Sequence, residues 1–133
     1  MIDALYADAS ALVKLVVDEA ETPALQDYLR VDQPPLTTSA LTLVEVQRSA
    51  RVANSGGEGA ARARALLDAV ELVDLDRDLL EDAVSYSSAH VRSLDAIHLA
   101  SAVRVGARRM LVYDRRLAEA ASAAGLEVLS PGA

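Results

Sequence analysis

Short apolar runs alternate with helix-length stretches from one end of the chain to the other. That alternation leaves few architectures. Strands separated by helices pair in parallel, and a parallel sheet must be covered by helices on both faces. Ala4 to Ala7 reads as a short buried strand ending at Asp8. Ala11 to Val17 follows as a helix, capped by Asp8 or Ser10. A helix over Pro23 to Arg30, with proline in its first turn, leads to a turn at Asp32–Pro35. Leu36 to Thr38 is a second strand, after which Thr38 or Ser39 caps a helix reaching Ala53. Residues 54–59 (NSGGEG) form a helix–helix loop, too short to link domains. A helix over Ala60 to Ala69, a strand over Val70 to Leu75 and a helix over Arg77 to His90 come next. Ser93 caps a helix from Leu94 to Val105 that Gly106 stops. Met110 to Tyr113 is a strand, Arg115 to Ala124 a helix stopped by Gly125, and Glu127 to Leu129 a last strand. The expectation is an α/β fold with one domain over residues 1–133.

Composition narrows the class further. The chain has no Phe and no Trp, so its core must be built from Leu, Val and Ala with a few Tyr. It has no Cys, which excludes a disulfide framework and a thiolate metal site. Charges interrupt every apolar stretch before it reaches spanning length, and the opening MIDALYADAS carries acid where a leader peptide would carry Lys or Arg. A cytoplasmic protein with no membrane partner is predicted. The net charge of −7 argues against a module that simply coats nucleic acid. It leaves room for a nuclease, because a carboxylate cluster that holds cations is itself acidic.

Four acids stand where such a fold builds a site. Asp8 and Asp114 each follow a strand directly, and in open α/β sheets ligands bind beyond the carboxyl ends of strands. Either alone reads as a helix N-cap. As a pair on neighbouring strands, they read equally well as the rim of a crevice. Asp95 lies in the first turn of its helix, where the helix dipole favours a carboxylate. Ala96, Leu99, Ala102 and Val103 surround it on the helical wheel, so it points inward and needs a partner or a metal. Glu45 leaves two readings even. Leu41 and Val52 lie on its side of the wheel, yet it is also spaced to pair in solvent with Arg48 or Ser49.

Converging carboxylates stay ionised only beside a counter-charge. Oxygen ligands without Cys or His suit Mg²⁺ or Mn²⁺, and Mg²⁺ keeps waters while taking further ligands from substrate phosphate. The chemistry this predicts is metal-assisted phosphodiester hydrolysis. Ser10, two residues after Asp8, either caps the helix or supports the site by bonding a carboxylate or a metal-bound water. His98 is one turn from Asp95 but turns aside toward Ser101, which favours a packed, hydrogen-bonded ring over a ligand. Arg92, Arg115 and Arg116 flank the expected site and are candidates for holding RNA phosphates; solvated arginines are the plainer alternative.

These segments resemble the PIN-domain family and, within it, the VapC-type toxins. YADASALVKL resembles the family's first motif, a buried strand followed by D-x-S and an apolar helix. TTSALTLVEVQRSA resembles the second, with Glu45 as the acid; VRSLDAIHLASAVRVGA the third, with Asp95; and MLVYDRRLAEAASAAGLEVLSP the fourth, with Asp114. The order is right and nearly the whole chain is covered. The chain departs at Val112, where the family often carries Thr or Ser. The resemblance implies a three-layer α/β/α sandwich with a mainly parallel sheet. It also implies an Mg²⁺- or Mn²⁺-dependent endoribonuclease with Asp8, Glu45, Asp95 and Asp114 as its metal site. It further implies a homodimer silenced by a cognate VapB-like antitoxin that places an Arg or Lys in the acidic site. Leu12, Val13, Leu15, Val16 and Val17 are candidate dimer or antitoxin surface, with a buried core helix the equal alternative.

Other α/β sites with strand-end acids fit less well. A signalling receiver needs a late Lys, and Lys14 is the only lysine. A haloacid-dehalogenase-like phosphatase needs D-x-D after the first strand, where Ser10 fills the second position. A housekeeping PIN nuclease and a catalytically idle PIN-like binding module remain the alternatives to a toxin.

Overall fold

The first strand, β1 (Leu5–Ala7), is buried along its whole length, and its side chains divide between two cores. The computed structural model of the chain describes residues 3–32, 34–53 and 57–133. Within it, β1 lies at the centre of a five-stranded, all-parallel sheet. β2 (Leu36–Ser39) and β3 (Glu71–Val73) extend the sheet on one side of β1, and β4 (Arg109–Leu111) and β5 (Glu127–Leu129) on the other. The register pairs Leu5 with Leu36 and with Arg109. Because the chain moves outward from β1 to β3 and then restarts beside β1 as β4, the sheet reverses its winding between β1 and β4. That reversal opens a crevice at the carboxyl ends of these two strands.

Alternation on the central strands defines the layers. Leu5, Ala7 and Leu111 face α1 (Ala9–Val13), α2 (Thr22–Asp32), α3 (Ala40–Ala53) and α4 (Glu58–Ala69), meeting Leu12, Leu25, Val46 and Ala63. Tyr6, Met110 and Val112 face α6 (Ser93–Arg104) and α7 (Arg115–Ala123), meeting Leu99 and Leu117. α5 (Arg77–Val84) packs on α6 and closes that layer under Val73. The result is the expected three-layer α/β/α sandwich. Among the described residues no helix is long and apolar enough to cross a membrane.

Several boundaries differ from those predicted. α1 begins at Ala9 and ends at Val13, four residues short of Val17. Beyond it, Leu15 and Val16 donate to carbonyls only three residues back, while Thr22 Oγ1 takes the Lys14 carbonyl. Leu12 and Val16 are buried, and Val13, Leu15 and Val17 are half-buried against the same core, so the segment contributes to the core. α5 stops at Val84, well before His90, because the Ser85 and Ser87 hydroxyls draw back to the Asp82 and Val84 carbonyls. α6 includes Ser93; its N-cap is Arg92, and no side chain caps it. Ser39 does cap α3, accepting from Leu41 N at 3.1 Å. α4 starts two residues earlier than predicted, after Gly57 at φ +87°. Gln33, in the expected turn, and residues 54–56 of the expected loop lie outside the described residues.

Candidate active site

The four acids arrive from four different elements and line one cavity of about 740 Å³ at the carboxyl edge of the sheet. Asp8 leaves β1 and Asp114 follows β4, and β1 and β4 are hydrogen-bonded neighbours. Glu45 comes from α3 and Asp95 from the first turn of α6. Both strand-end acids are also caps. Asp8 Oδ1 accepts from Ala11 N at 3.1 Å, and Asp114 Oδ1 accepts from Leu117 N at 2.9 Å. Capping a helix and lining the cavity are therefore compatible at both residues.

The environments of the acids differ. Asp8 is 4 % exposed, whereas Asp114 is exposed and Asp95 half-buried. Burial pushes the Asp8 carboxyl up to about 6; the Ser10 hydrogen bond and nearby His98 act in the opposite direction, and Glu45 adds to the rise. Ser10 Oγ donates to Asp8 Oδ1 at 2.6 Å and accepts from Tyr113 N at 2.9 Å. One hydroxyl thus ties the Asp8 carboxylate to the residue before Asp114. Ser10 supports the acids, and its bonds fix how β1 and β4 present them.

Glu45 takes neither of its two sequence-based readings unchanged. Val52, assigned to its side, is 75 % exposed. Its partner is not Arg48 or Ser49 but His98, whose Nε2 lies 3.2 Å from Glu45 Oε1. His98 is buried, and its other ring nitrogen, Nδ1, lies 2.7 Å from the Tyr6 hydroxyl. Tyr6, which reads in the sequence only as a strand residue, thus touches a side chain that lines the cavity. Burial also holds its phenol well above the ordinary range, so it stays a proton donor. Val103, placed beside Asp95 on the wheel, is 45 % exposed, but Ala96, Leu99 and Ala102 are buried as expected. Val112 is fully buried in the core with Tyr6 and Met110.

Arg92 and Arg116 line the cavity. Both also line an adjoining open depression of about 800 Å³ with Arg115, His90 and Glu119, and Asp114 borders the two. On the opposite side, Ser10 and Glu45 border a third depression that reaches Lys14 and Arg48. The acids therefore sit midway along a run of concave surface with arginines at both ends.

A crevice at the winding reversal of a parallel sheet is where open α/β folds bind their ligands, and here four carboxylates line it. The chain belongs to the PIN-domain family, whose model matches residues 5–123. Ribonuclease VapC46 of Mycobacterium tuberculosis is 40% identical over 131 residues, which is 96% of this chain and 98% of that protein. The crystal structure of Mycobacterium tuberculosis VapC20, a sarcin–ricin loop cleaving toxin, superimposes with a TM-score of 0.76 at 22% identity, covering 96% of this chain and 99% of that one. A toxin–antitoxin complex from Klebsiella pneumoniae gives a TM-score of 0.72 at 22% identity, covering 96% and 97%.

Proposed function

We propose that this chain is a metal-dependent endoribonuclease and the toxin of a toxin–antitoxin pair. The observation that carries the reading is the meeting of Asp8, Glu45, Asp95 and Asp114, from four elements, around one cavity with Arg92 and Arg116 on its wall. Relatives at 40% identity over nearly the full chain are ribonucleases by name.

The donor set suits a hard divalent cation. All four groups offer oxygen, and the charge that burial makes costly at Asp8 is one that a nearby cation would offset. Among the described residues no three acidic or histidine side chains gather closely enough to enclose an ion by themselves. Such spacing fits Mg²⁺ or Mn²⁺ that keeps part of its water and completes its shell with phosphate oxygen. When bound, the ion would supply a water of lowered pKa and neutralise charge developing on the phosphate. Asp8, Glu45, Asp95 and Asp114 would hold it, with Ser10 fixing Asp8. Arg92 and Arg116 would hold the phosphates flanking the scissile bond, and Arg115 the next one along the adjoining depression.

The silencing partner is a cognate VapB-like antitoxin. A basic side chain from it would bridge two of the carboxylates and substitute for the metal charge. The net charge of −7 favours such a partner. The active form is read as a homodimer, which sedimentation would check directly. The deciding experiment for the chemistry is RNA cleavage by purified protein with Mg²⁺, with Mn²⁺ and with a chelator, in parallel with Asp95→Asn. Cleavage should need the ion and disappear in the variant while its fold persists. Cleavage undiminished by the chelator, or by Asp95→Asn, would overturn the reading. Metal-dependent cleavage by a protein whose expression leaves growth unaffected would instead mark a housekeeping nuclease.

A further inference from the structure

We propose that Tyr6 and His98 form a buried strap that positions Glu45 for the metal site, acting through the proton on His98 Nε2. The proposal rests on the reading of Glu45 as a metal-site acid. Its starting point is that a carboxylate can only accept hydrogen bonds. The ring nitrogen facing Glu45 Oε1 at 3.2 Å must therefore carry a proton. In a neutral ring the other nitrogen is then an acceptor, and the Tyr6 hydroxyl lies 2.7 Å from it. Nδ1 then has no proton to give, so in that contact the hydroxyl is the donor. The Tyr6 proton thus goes to Nδ1, and the tautomer is set from the core outward: Tyr6 O–H to Nδ1, Nε2–H to Glu45.

Packing holds this chain of bonds in place. Tyr6 is fully buried, His98 is 4 % exposed, and the two rings meet edge to face with centroids 5.9 Å apart. Glu45 is the only member that reaches solvent appreciably, with a side chain 29 % exposed. The strap also crosses the molecule. Tyr6 stands on β1 two residues before Asp8, and His98 on α6 one turn after Asp95. Glu45 stands on α3, in the opposite helical layer. A single line of hydrogen bonds therefore joins the three elements that carry three of the four acids. Without it, Glu45 would be free to rotate toward Arg48 and solvent, and its second oxygen would no longer be held at the cavity. Groups that orient a metal ligand from behind commonly change metal affinity by about 10–100-fold when removed.

The test is Mn²⁺ affinity, measured by the electron paramagnetic resonance signal of free Mn²⁺. The proteins compared are the parent, Glu45→Ala, His98→Leu, His98→Gln and Tyr6→Phe, with the last three also made in the Glu45→Ala background. Circular dichroism and melting accompany each. His98→Leu should weaken Mn²⁺ binding about tenfold or more, and Tyr6→Phe should weaken it in the same direction. His98→Gln, which keeps an N–H donor, should recover part of the loss. In the Glu45→Ala background none of the three should cost anything further, because the group they position is gone. A general packing defect would cost the same in both backgrounds, and that result would overturn the proposal. So would parent-like affinity in folded Tyr6→Phe and His98→Leu. If His98→Leu does not fold, Tyr6→Phe and His98→Gln decide the matter, since both retain a ring or a polar side chain of similar reach. Parent-like affinity in Glu45→Ala would remove the metal-site reading of Glu45, and the strap with it. Weak binding in Glu45→Ala beside intact binding in Tyr6→Phe would remove the strap alone.

Discussion

Replacing Asp8 by Asn should make the metal-free protein more stable at neutral pH while destroying its function. A carboxyl moved from its ordinary 3.8 to about 6 is harder to ionise in the folded chain than in the unfolded one. The difference is on the order of 3 kcal/mol. Burial is the main cause, so the penalty belongs to the native state. The sign follows from linkage. The folded value lies above the unfolded one, so the stabilisation is complete below about 3.8 and is lost as pH rises through about 6. Asn keeps the oxygen that accepts from Ala11 N and Ser10 Oγ, and so keeps the cap. It removes only the charge. After allowing for the buried amide, the net gain at pH 7.5 is on the order of 1–3 kcal/mol. For a domain of this size that is a melting shift of roughly 3–12 °C. The assay is thermal denaturation of parent and Asp8→Asn in a chelating buffer from pH 4 to pH 8. The variant should melt higher at pH 7.5, and the gap should close as pH falls toward 4. A variant that melts below the parent at pH 7.5, or a gap independent of pH, would refute the reasoning.

Three further outcomes are expected. Mg²⁺ or Mn²⁺ at 100 times its Kd should stabilise the parent by about 2.7 kcal/mol, but should not shift the melting of the variant carrying Asp8→Asn, Glu45→Gln, Asp95→Asn and Asp114→Asn; an equal shift would place the ions elsewhere. Ser10→Ala removes the donor to Asp8 and leaves Tyr113 N without its acceptor, so urea unfolding should show a loss of about 1–3 kcal/mol, and an unchanged midpoint would refute the tie between the two strand ends. Co-expression of an antitoxin should relieve growth arrest, and replacing its site-directed basic residue by Ala should weaken inhibition more than binding, because one charged contact rarely carries a whole interface; equal losses would contradict the bridging role.

That Asp8, Asp95 and Asp114 face one cavity was legible because each announces itself locally. Two follow apolar strands, and the third lies among Ala96, Leu99 and Ala102 at helical spacing. Local pattern also carried the sheet, since alternation on β1 and β4 sends neighbouring side chains into opposite cores. The Glu45–His98 bond was not legible. It joins elements in different layers, and no periodicity within either helix records which turn of one faces which turn of the other. The ends of α1 and α5 escaped for a different reason. Hydroxyls from Thr22, Ser85 and Ser87 capture helical carbonyls and compete with the next turn. Such competition weakens a helix by an amount that apolar spacing does not reveal.

The two strand-end acids show why the structural and the functional reading of a residue need not be rivals. A helix N-terminus beyond a parallel strand needs an acceptor, and Asp supplies one with a single oxygen. At Asp8 and Asp114 the oxygen used is Oδ1 in each case. The cap holds the carboxylate in one orientation and leaves the second oxygen outside the cap bond, at residues that both line the one cavity. Capping would therefore supply the preorganisation that the proposed metal site requires, at residues the fold would want acidic or polar anyway. The consequence is practical. Alanine at either position removes cap and charge together, and its effect cannot be assigned to one or the other. Asparagine separates them. If Asp114→Asn retains stability but loses the metal-induced rise in melting temperature, the charge serves the ion and the oxygen serves the helix. If Asp114→Asn keeps that rise, Asp114 is a cap beside the site and no part of it.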